Sequence, residues 1–266
     1  MTKDFHIPAD PRDAVYLKKT HPEAVYLAGG TQVNRSPLER EMPSAVIDIR
    51  DVVPANISKE GKNLLIGGMA SLQDIADSPL VPEPLAQAAG FIPTRSLRNQ
   101  ATIAGNIAAA RSDSYLIPVL IALAARVRIF GGELLVEDYV RNRHDELILE
   151  ILIPPLQGIC VAVKESRSHL AYPVVSAAVS LSFDTNKQRL SAACVAVGCV
   201  AKTTIRLAQV EKDIVSGKLH QKGDIEKAIS IAINPEDDIL GSAEYKKYIN
   251  GVVIADAVIS AQEALK

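Results

Sequence analysis

Two short stretches carry the groups best suited to binding an anionic ligand. The first is Gly29-Gly30-Thr31, which directly follows the apolar run 25–28. Adjacent glycines can adopt positive φ, so their N–H groups converge on an anion such as a pyrophosphate, and the Thr31 hydroxyl adds a donor. Tight turns use the same residues, so this pair by itself is a weak indication of a phosphate site.

The second stretch, from Arg98 to Ala110, combines small residues with the polar side chains of Thr102 and Asn106. It is expected to be a cofactor loop, because small residues let the main chain approach a ligand and leave N–H groups free for an anion. A surface loop with helix-capping residues is the alternative. Neither stretch has the G-x-G-x-x-G or G-x-x-x-x-G-K-[ST] spacing, so a dinucleotide site here requires another fold.

The two stretches together resemble the FAD-contacting loops of the flavin subunit of molybdenum hydroxylases, such as xanthine dehydrogenase and carbon monoxide dehydrogenase. The matching residues are Ala28-Gly29-Gly30-Thr31 and the run 98–106, Arg-Asn-Gln-Ala-Thr-Ile-Ala-Gly-Asn. The similarity continues along the chain, with 147–154 resembling a family strand that ends in Ile-Pro. Residues 172–179 resemble the opening of the family's C-terminal domain, and 241–248 resemble its final helix.

The resemblance implies an α+β chain with two domains. Residues 1–158 would form a two-lobed FAD-binding domain of the PCMH or vanillyl-alcohol-oxidase-like type, with lobes 1–53 and 54–158. Residues 159–266 would form a smaller domain of antiparallel sheet and helices. The FAD-contacting positions carried over are Leu27, Ala28, Gly29, Gly30, Thr31, Gln32, Val33, Thr102, Ile103, Ala104, Gly105, Asn106, Ile148 and Lys164.

The resemblance also implies a role. The chain would pass electrons from an iron–sulfur subunit through FAD to an acceptor such as NAD, while a separate molybdenum subunit hydroxylates the substrate. No catalytic acid, base or nucleophile is expected in this chain. Lys164 is open to a second interpretation, as an exposed strand lysine.

Two departures from the family pattern predict FAD binding that is retained but weakened. Ala104 stands where the family usually has glycine, and Tyr115 stands where it usually has an aspartate that holds the adenosine ribose. Asp113 would substitute only if the loop shifts. The departures motivate an alternative, a scaffold subunit whose flavin site has degenerated. A self-contained FAD oxidoreductase is a third hypothesis, which lacks a candidate base.

The composition limits the classes of binding partner and the cellular compartment that we expect for this chain. The formal charge of −2 and the absence of a basic run argue against nucleic acid as a partner. Three cysteines are too few for a four-thiolate iron–sulfur cluster, and five scattered histidines show no metal-ligand spacing. Cys160, Cys194 and Cys199 are interpreted as buried, reduced thiols. The N-terminus resembles no signal peptide and no long apolar span occurs, so a cytoplasmic location without membrane contact is expected.

The elements that must position these residues follow from apolar periodicity and from glycine and proline punctuation. Ser71 is expected to cap a short helix, and Gly67-Gly68 is interpreted as a plain turn. Asp184 to Lys187 is expected to form a turn. Strands are predicted at 25–28, 45–49, 64–68, 126–130, 133–136, 146–153, 159–166, 174–183 and 189–200, and helices at 11–20, 72–76, 85–89, 115–125, 206–216, 225–233 and 242–266.

Overall fold

The structure, a computed structural model, describes residues 4–34, 42–142, 144–184 and 189–264. In the first half of the chain a group of short strands precedes a run of short helices, and the second half places its strands before its last helices. The strands are β1 (Asp4–His6), β2 (Val25–Leu27), β3 (Ala45–Asp48), β4 (Ile57–Glu60), β5 (Asn63–Gly67), β6 (Arg126–Ile129), β7 (Gly132–Leu135), β8 (Ile148–Ile153), β9 (Ile159–Glu165), β10 (Val175–Phe183), β11 (Leu190–Val197) and β12 (Ile205–Arg206).

The helices cover the faces of three sheets. Among the described helices, none is both long and apolar enough to cross a membrane. The helices are α1 (Pro11–Thr20), α2 (Leu72–Asp77), α3 (Glu83–Gly90), α4 (Arg95–Gln100), α5 (Ile103–Ala109), α6 (Leu116–Ala122), α7 (Val136–Arg141), α8 (Ala208–Val215), α9 (Lys222–Ala232) and α10 (Ala243–Ala264).

The first lobe is a parallel three-stranded sheet in the order β1-β3-β2. Asp10 begins α1 by accepting a hydrogen bond from the Asp13 N–H, and Pro11 occupies the first turn, where its missing N–H costs nothing. The helix buries Ala14 in a small core that contains Ile47. The strand β2 ends at Leu27, so its position in the sheet fixes where the glycine turn that follows begins.

The second lobe is an antiparallel sheet in the order β4-β5-β8-β6-β7. The helix α5 contacts β8 of this sheet, and α6, which belongs to the same hydrophobic core, is buried at every position from Leu116 to Ala122. Pro118 lies in the first turn of α6, where proline is tolerated. Ser71 caps α2 in a capping box with Asp74, as predicted.

The C-terminal sheet is antiparallel, in the order β12-β11-β10-β9. One face of β10 packs against α10, and the other face meets α6 of the second lobe. Cys160 and Cys194 both pair with Ser180 of the central strand, so they flank it without meeting. All three cysteines are free thiols; Cys160 and Cys194 are buried as expected, whereas Cys199, which follows β11, is only half-buried.

The prediction that residues 98–110 form a loop is wrong. The helix α4 ends at Gln100, and α5 begins after Thr102, whose hydroxyl accepts a hydrogen bond from the Gly105 N–H. Ile103 and Ile107 lie four residues apart and are both fully buried, so the stretch has the apolar face of a helix. Small residues permit the helix to pack closely, and they do not interrupt it here.

Other elements differ from the predictions at their ends or were missed. Val136 does not extend β7, because it begins α7, which buries Tyr139 and Val140. The strands β1, β4 and β12 were not predicted, and each has at most four residues. Residues 185–187 of the predicted turn and 265–266 of the final helix lie outside the described part of the chain.

Candidate functional site

Two cavities meet where the first lobe contacts α5. Cavity A has a volume of about 310 Å³ and lies between the turn 28–33, one side of α5 and the segment 144–148. Cavity B has a volume of about 440 Å³ and lies between α4, the segment 111–115 and the segment 170–173. Residues that line both cavities form their junction, and they are Thr31, Gln32, Thr102, Gly105 and Ala109.

The turn after β2 lines cavity A and carries backbone hydrogen-bond donors that have no partner in the described chain. Gly30 has a φ of +73°, and the Asn34 N–H donates to the Gly30 carbonyl at 2.8 Å, which closes the turn. Within the described residues, the N–H groups of Gly29, Gly30 and Thr31 have no acceptor. Consecutive free N–H groups of this kind form a concave anion site. Gly30 has the positive φ that the sequence predicts, whereas Gly29 does not, so an anion site at this turn stays a prediction.

The turn is held against the C-terminal end of α4. A side chain at Gly29 would place its Cβ 1.6 Å from the Gln100 carbonyl oxygen, so only glycine fits between the two segments. The close approach sets the distance between the turn and the start of α5. Gly29 thus acts through its missing side chain, whereas Gly30 acts through its backbone conformation.

The second predicted segment uses its N–H groups internally, contrary to expectation. The N–H groups of Ile103 and Ala104 donate to the Ala70 and Gly68 carbonyls, both at 3.1 Å. The N–H groups of Gly105 and Asn106 donate to the hydroxyl and the carbonyl of Thr102. These N–H groups are therefore unavailable to an anion, and the segment offers side chains instead. The hydroxyl hydrogen of Thr102 remains available to donate a hydrogen bond at the junction of the two cavities.

Ala104 occupies an ordinary helical position. It is 4% exposed, lies one residue into α5 beyond Ile103, and lines cavity A. A methyl group at this point forms part of the apolar wall. The departure from glycine leaves the helix intact, because α5 has no backbone conformation here that requires glycine.

Tyr115 forms part of an aromatic cluster at the wall of cavity B. Its ring meets Phe91 edge to face at a centroid distance of 5.6 Å, and the Lys164 ammonium lies 5.3 Å from its centroid. The geometry is that of a cation–π contact. Burial, with smaller contributions from Cys199 and Asp113, raises the pKa of Tyr115 to about 12, so its hydroxyl stays protonated.

One wall of cavity B carries an acidic side chain. Asp113 lines this cavity, and its side chain is 18% exposed. The Arg111 guanidinium forms a two-point ion pair with the Asp113 carboxylate, in which Nε lies 2.8 Å from Oδ1. Each carboxylate oxygen accepts more than one hydrogen bond, so the pair leaves acceptor capacity toward the cavity.

Cavity A is walled by apolar and aromatic side chains with polar groups at one end. Ile148 is 3% exposed and forms part of this wall. The Tyr139 hydroxyl donates to the Glu146 carbonyl at 2.8 Å, and burial raises the pKa of Tyr139. His144 Nδ1 lies 3.0 Å from the Glu146 carboxylate. The cavity therefore suits a flat, largely apolar group with a polar edge.

The structure brings most of the predicted site residues to the two cavities. Ten of them line cavity A, namely Ala28, Gly29, Gly30, Thr31, Gln32, Val33, Thr102, Ala104, Gly105 and Ile148, and Asn106 lines cavity B. Leu27, Ile103 and Lys164 line neither. Ile103 is fully buried in the core, and Lys164 lies behind the Tyr115 ring.

Other cavity residues escaped the sequence analysis. Arg111, Leu170 and Tyr172 line cavity B, and Tyr139 and His144 line cavity A. The spacing of Val136, Tyr139 and Val140 is a helical signal that would have placed Tyr139 on a buried face. The others reach the cavities through tertiary packing, which leaves no local signal.

Comparison with known families divides the chain in two. Residues 1–156 match the family described as FAD binding domain in molybdopterin dehydrogenase, and residues 162–261 match the CO dehydrogenase flavoprotein C-terminal domain. The uncharacterized protein YgfM of Escherichia coli (strain K12) is 36% identical over 266 residues, which cover 99% of this chain and 98% of that protein.

Two further relatives carry descriptive names. The 6-hydroxypseudooxynicotine dehydrogenase complex subunit alpha of Paenarthrobacter nicotinovorans is 30% identical over 85% of this chain and 83% of that protein. The solved carbon monoxide dehydrogenase from Hydrogenophaga pseudoflava has the same fold, with a TM-score of 0.87 at 24% identity over 99% of this chain and 98% of that chain.

These matches and the two cavities define a flavin-binding subunit of an oxidoreductase. The chain belongs to the family of FAD-binding subunits of molybdopterin dehydrogenases, and FAD is its cofactor. The free N–H groups of the glycine turn fit a pyrophosphate, and the cavities on either side fit the two halves of a dinucleotide.

Proposed function

We propose that this chain holds FAD across the junction of cavities A and B and works as the electron-transfer subunit of a heteromeric molybdenum hydroxylase. The observation that carries the proposal is the set of three consecutive N–H groups, Gly29 to Thr31, that have no acceptor in the described chain and belong to residues lining cavity A. A pyrophosphate supplies the acceptors that these donors lack.

The proposal assigns one half of the cofactor to each cavity. Cavity A, with Ile148 and Ala104 in its wall, suits the isoalloxazine ring, because that wall is mostly apolar. Cavity B, with Asn106, Arg111 and Asp113 in its wall, suits the adenosine half, which carries hydroxyl groups and ring nitrogens. Lys164 then acts indirectly, by supporting the Tyr115 ring.

The FAD ring supplies the electron-transfer chemistry when it is bound. The residues of this chain bind and orient. The N–H groups of the glycine turn would donate hydrogen bonds to the pyrophosphate, the Thr102 hydroxyl would add a donor, and the apolar wall of cavity A would exclude water from the ring. In the proposal, electrons arrive from an iron–sulfur subunit and leave to an acceptor such as NAD, and a molybdenum subunit hydroxylates the substrate.

The domain boundary and the cellular location of the chain are part of the same proposal. The boundary between the FAD-binding domain and the C-terminal domain is placed at residues 158 and 159, where Gly158 precedes β9. The location is proposed to be the cytoplasm. Three free thiols in one chain support it, because a reducing compartment keeps such thiols from pairing.

A titration of the chain with FAD, followed by flavin fluorescence, tests the proposal. The informative variant is Gly30→Ala, because a side chain at a φ of +73° strains the turn that carries the free N–H groups. Gly61→Ala is the matched control. Gly61 has a φ of +61° in a hairpin turn remote from both cavities, with no atom within 4 Å of the added Cβ.

Saturable FAD binding that is weakened at least tenfold by Gly30→Ala and retained in Gly61→Ala would support the proposal. Equal affinities for the two variants would contradict the placement of the pyrophosphate. If FAD fails to bind both the isolated chain and the complex assembled with its partner subunits, the alternative of a scaffold subunit replaces the proposal.

A further inference from the structure

A third cavity lies beside the C-terminal sheet. This cavity, cavity C, has a volume of about 790 Å³ and shares no lining residue with cavities A and B. Its walls are the helices α7 and α8 and the residues 191–193 of β11, together with the residues 203–206. Both domains form the cavity, since α7 belongs to the FAD-binding domain and the other elements belong to the C-terminal domain.

The cavity lies along an edge of β11 that has no neighbouring strand. The strand β12 pairs only with the last two residues of β11, whereas β11 begins at Leu190. The outward groups of Val195 are also paired, because its N–H donates to the Glu211 carboxylate at 2.9 Å and its carbonyl accepts from the Leu207 N–H at 3.0 Å. The residues 190–194, a length of roughly 17 Å, lie beyond these partners.

Ala193 carries an open donor and acceptor at this edge. Main-chain groups alternate in direction along a strand, so the N–H and carbonyl of Ala193 point to the same side as those of Val195. Its pairing with Leu181 of β10 therefore has no hydrogen bonds, and within the described residues its N–H has no acceptor. Thr204, which also lines the cavity, is 5% exposed, and its hydroxyl has no partner in the described chain.

The charges in the lining leave a positive excess. Arg206 pairs with both carboxylates of the cavity, since its guanidinium lies 2.6 Å from Glu211 and 3.4 Å from Glu137. Arg141 and Lys212 are two further cations in the wall. Among the described residues, Lys212 forms no ion pair. The cavity therefore favours a ligand that carries a carboxylate.

The shape of the cavity selects the kind of occupant. The helices α7 and α8 both line it, so an edge strand that belongs to a folded sheet, with helices of its own, does not fit between them. A single extended segment fits, because strand addition to an open edge uses main-chain hydrogen bonds and takes its specificity from flanking side chains. We propose that cavity C is a docking groove, in which an extended, acidic segment of a partner subunit adds to β11 at Ala193 and places a carboxylate near Lys212.

The groove is separate from the FAD site. That the occupant belongs to a partner subunit rests on the proposed function, but the two can be tested apart, because cavity C shares no residue with cavities A and B. Substitutions in the groove should leave the FAD affinity of the chain unchanged. The fluorescence titration with FAD therefore tests the proposed function, and assembly with the partner subunits tests the groove.

Amide hydrogen exchange, measured on the isolated chain and on the complex with its partner subunits, tests the groove directly. The Ala193 N–H should exchange at least about tenfold more slowly in the complex, because only there does it gain an acceptor. Equal exchange rates in both samples would overturn the inference, as would a wild-type chain that forms no complex. Protection that rises with the concentration of the isolated chain would identify a second copy as the occupant and would also overturn it.

Ala193→Pro tests strand addition. It removes the outward N–H and leaves the hydrogen bonds between β10 and β11 in place, so the affinity for the partner subunits should fall at least about tenfold. Ala162→Pro is the matched control, because Ala162 is also half-buried and lies on β9, at the opposite edge of the same sheet. By the same alternation its N–H points away from β10. Equal losses of affinity in the two variants would contradict strand addition at β11.

Lys212→Glu keeps the inference falsifiable if Ala193→Pro does not fold. The reversed charge should lower the affinity for the partner subunits at least about threefold, and the loss should shrink at high salt. Lys227→Glu is its control, since Lys227 is an exposed lysine on α9 that lines none of the three cavities. It should leave the affinity within about twofold of wild type. Equal effects of the two charge reversals would overturn the inference.

Discussion

Replacement of Gly29 by alanine tests the role of close packing at the glycine turn. The added Cβ would lie 1.6 Å from the Gln100 carbonyl oxygen and 2.7 Å from its carbon, whereas real Cβ contacts are at least 3.0 Å. The turn must therefore move by roughly 1.4 Å relative to α4. A displacement of that size breaks a hydrogen bond of ordinary length.

The loss in affinity follows from the number of donors displaced. A hydrogen bond to a charged group contributes about 1.5 to 3 kcal/mol. The loss of two of the three hydrogen bonds expected from the N–H groups of residues 29–31 therefore costs about 3 to 6 kcal/mol. Since about 1.4 kcal/mol corresponds to a factor of ten, the dissociation constant of FAD should rise by about 100-fold or more.

Fluorescence titration and thermal unfolding of the same samples separate binding from folding. Gly132→Ala is the control, because its added Cβ meets no atom within 4 Å. We expect Gly132→Ala to keep wild-type affinity. A Gly29→Ala variant that binds FAD within threefold of wild type would refute the placement of the pyrophosphate at this turn.

Three further changes have distinct expected results. Thr102→Ala removes the cap of α5 and a hydroxyl at the junction of the cavities, so it should cost about 1 kcal/mol of stability and weaken FAD binding; Thr102→Ser should restore both, and a failure to do so would exclude the hydroxyl. Glu211→Gln weakens a buried contact with Arg206 and the Val195 N–H, so urea unfolding should show a loss of about 1.5 to 3 kcal/mol with FAD affinity unchanged. Burial raises the pKa of the Cys160 thiol to about 12, whereas an unfolded cysteine has a pKa of about 8.5, so its contribution to stability is intact below pH 8.5 and declines as pH rises toward 12. Cys160→Ala should therefore lose less stability than wild type between pH 8 and 10, and parallel curves would contradict this.

The local sequence alone predicts the glycine turn at residues 29–31. The turn at Gly29 and Gly30 follows a short apolar strand. Its backbone conformation and close packing require glycine, and glycine can be read directly from the sequence. The second half was misread. Small residues around Gly105 suggested a loop, although Thr102 and the spacing of Ile103 and Ile107 form a helix-start signal.

The remaining features depend on contacts distant in sequence. Asp113 lines cavity B, and its neighbour Ser114 accepts a hydrogen bond from Ser176, which lies 62 residues further along the chain than Ser114. Leu170 and Tyr172 complete that cavity from the C-terminal domain. No periodicity or spacing encodes such contacts, so the cavity and the domain interface became visible only in the folded chain.

The most direct test of FAD binding at the glycine turn is an amide NMR titration of the 15N-labelled chain with FAD. The N–H resonances of Gly29, Gly30 and Thr31 should shift downfield with saturation, because these donors gain a charged acceptor. Those of Ile103 and Ala104, already bonded to carbonyls, should shift much less. Riboflavin, which lacks phosphate, should not reproduce the shifts. Saturable FAD binding that leaves the three resonances unmoved would contradict the proposed site.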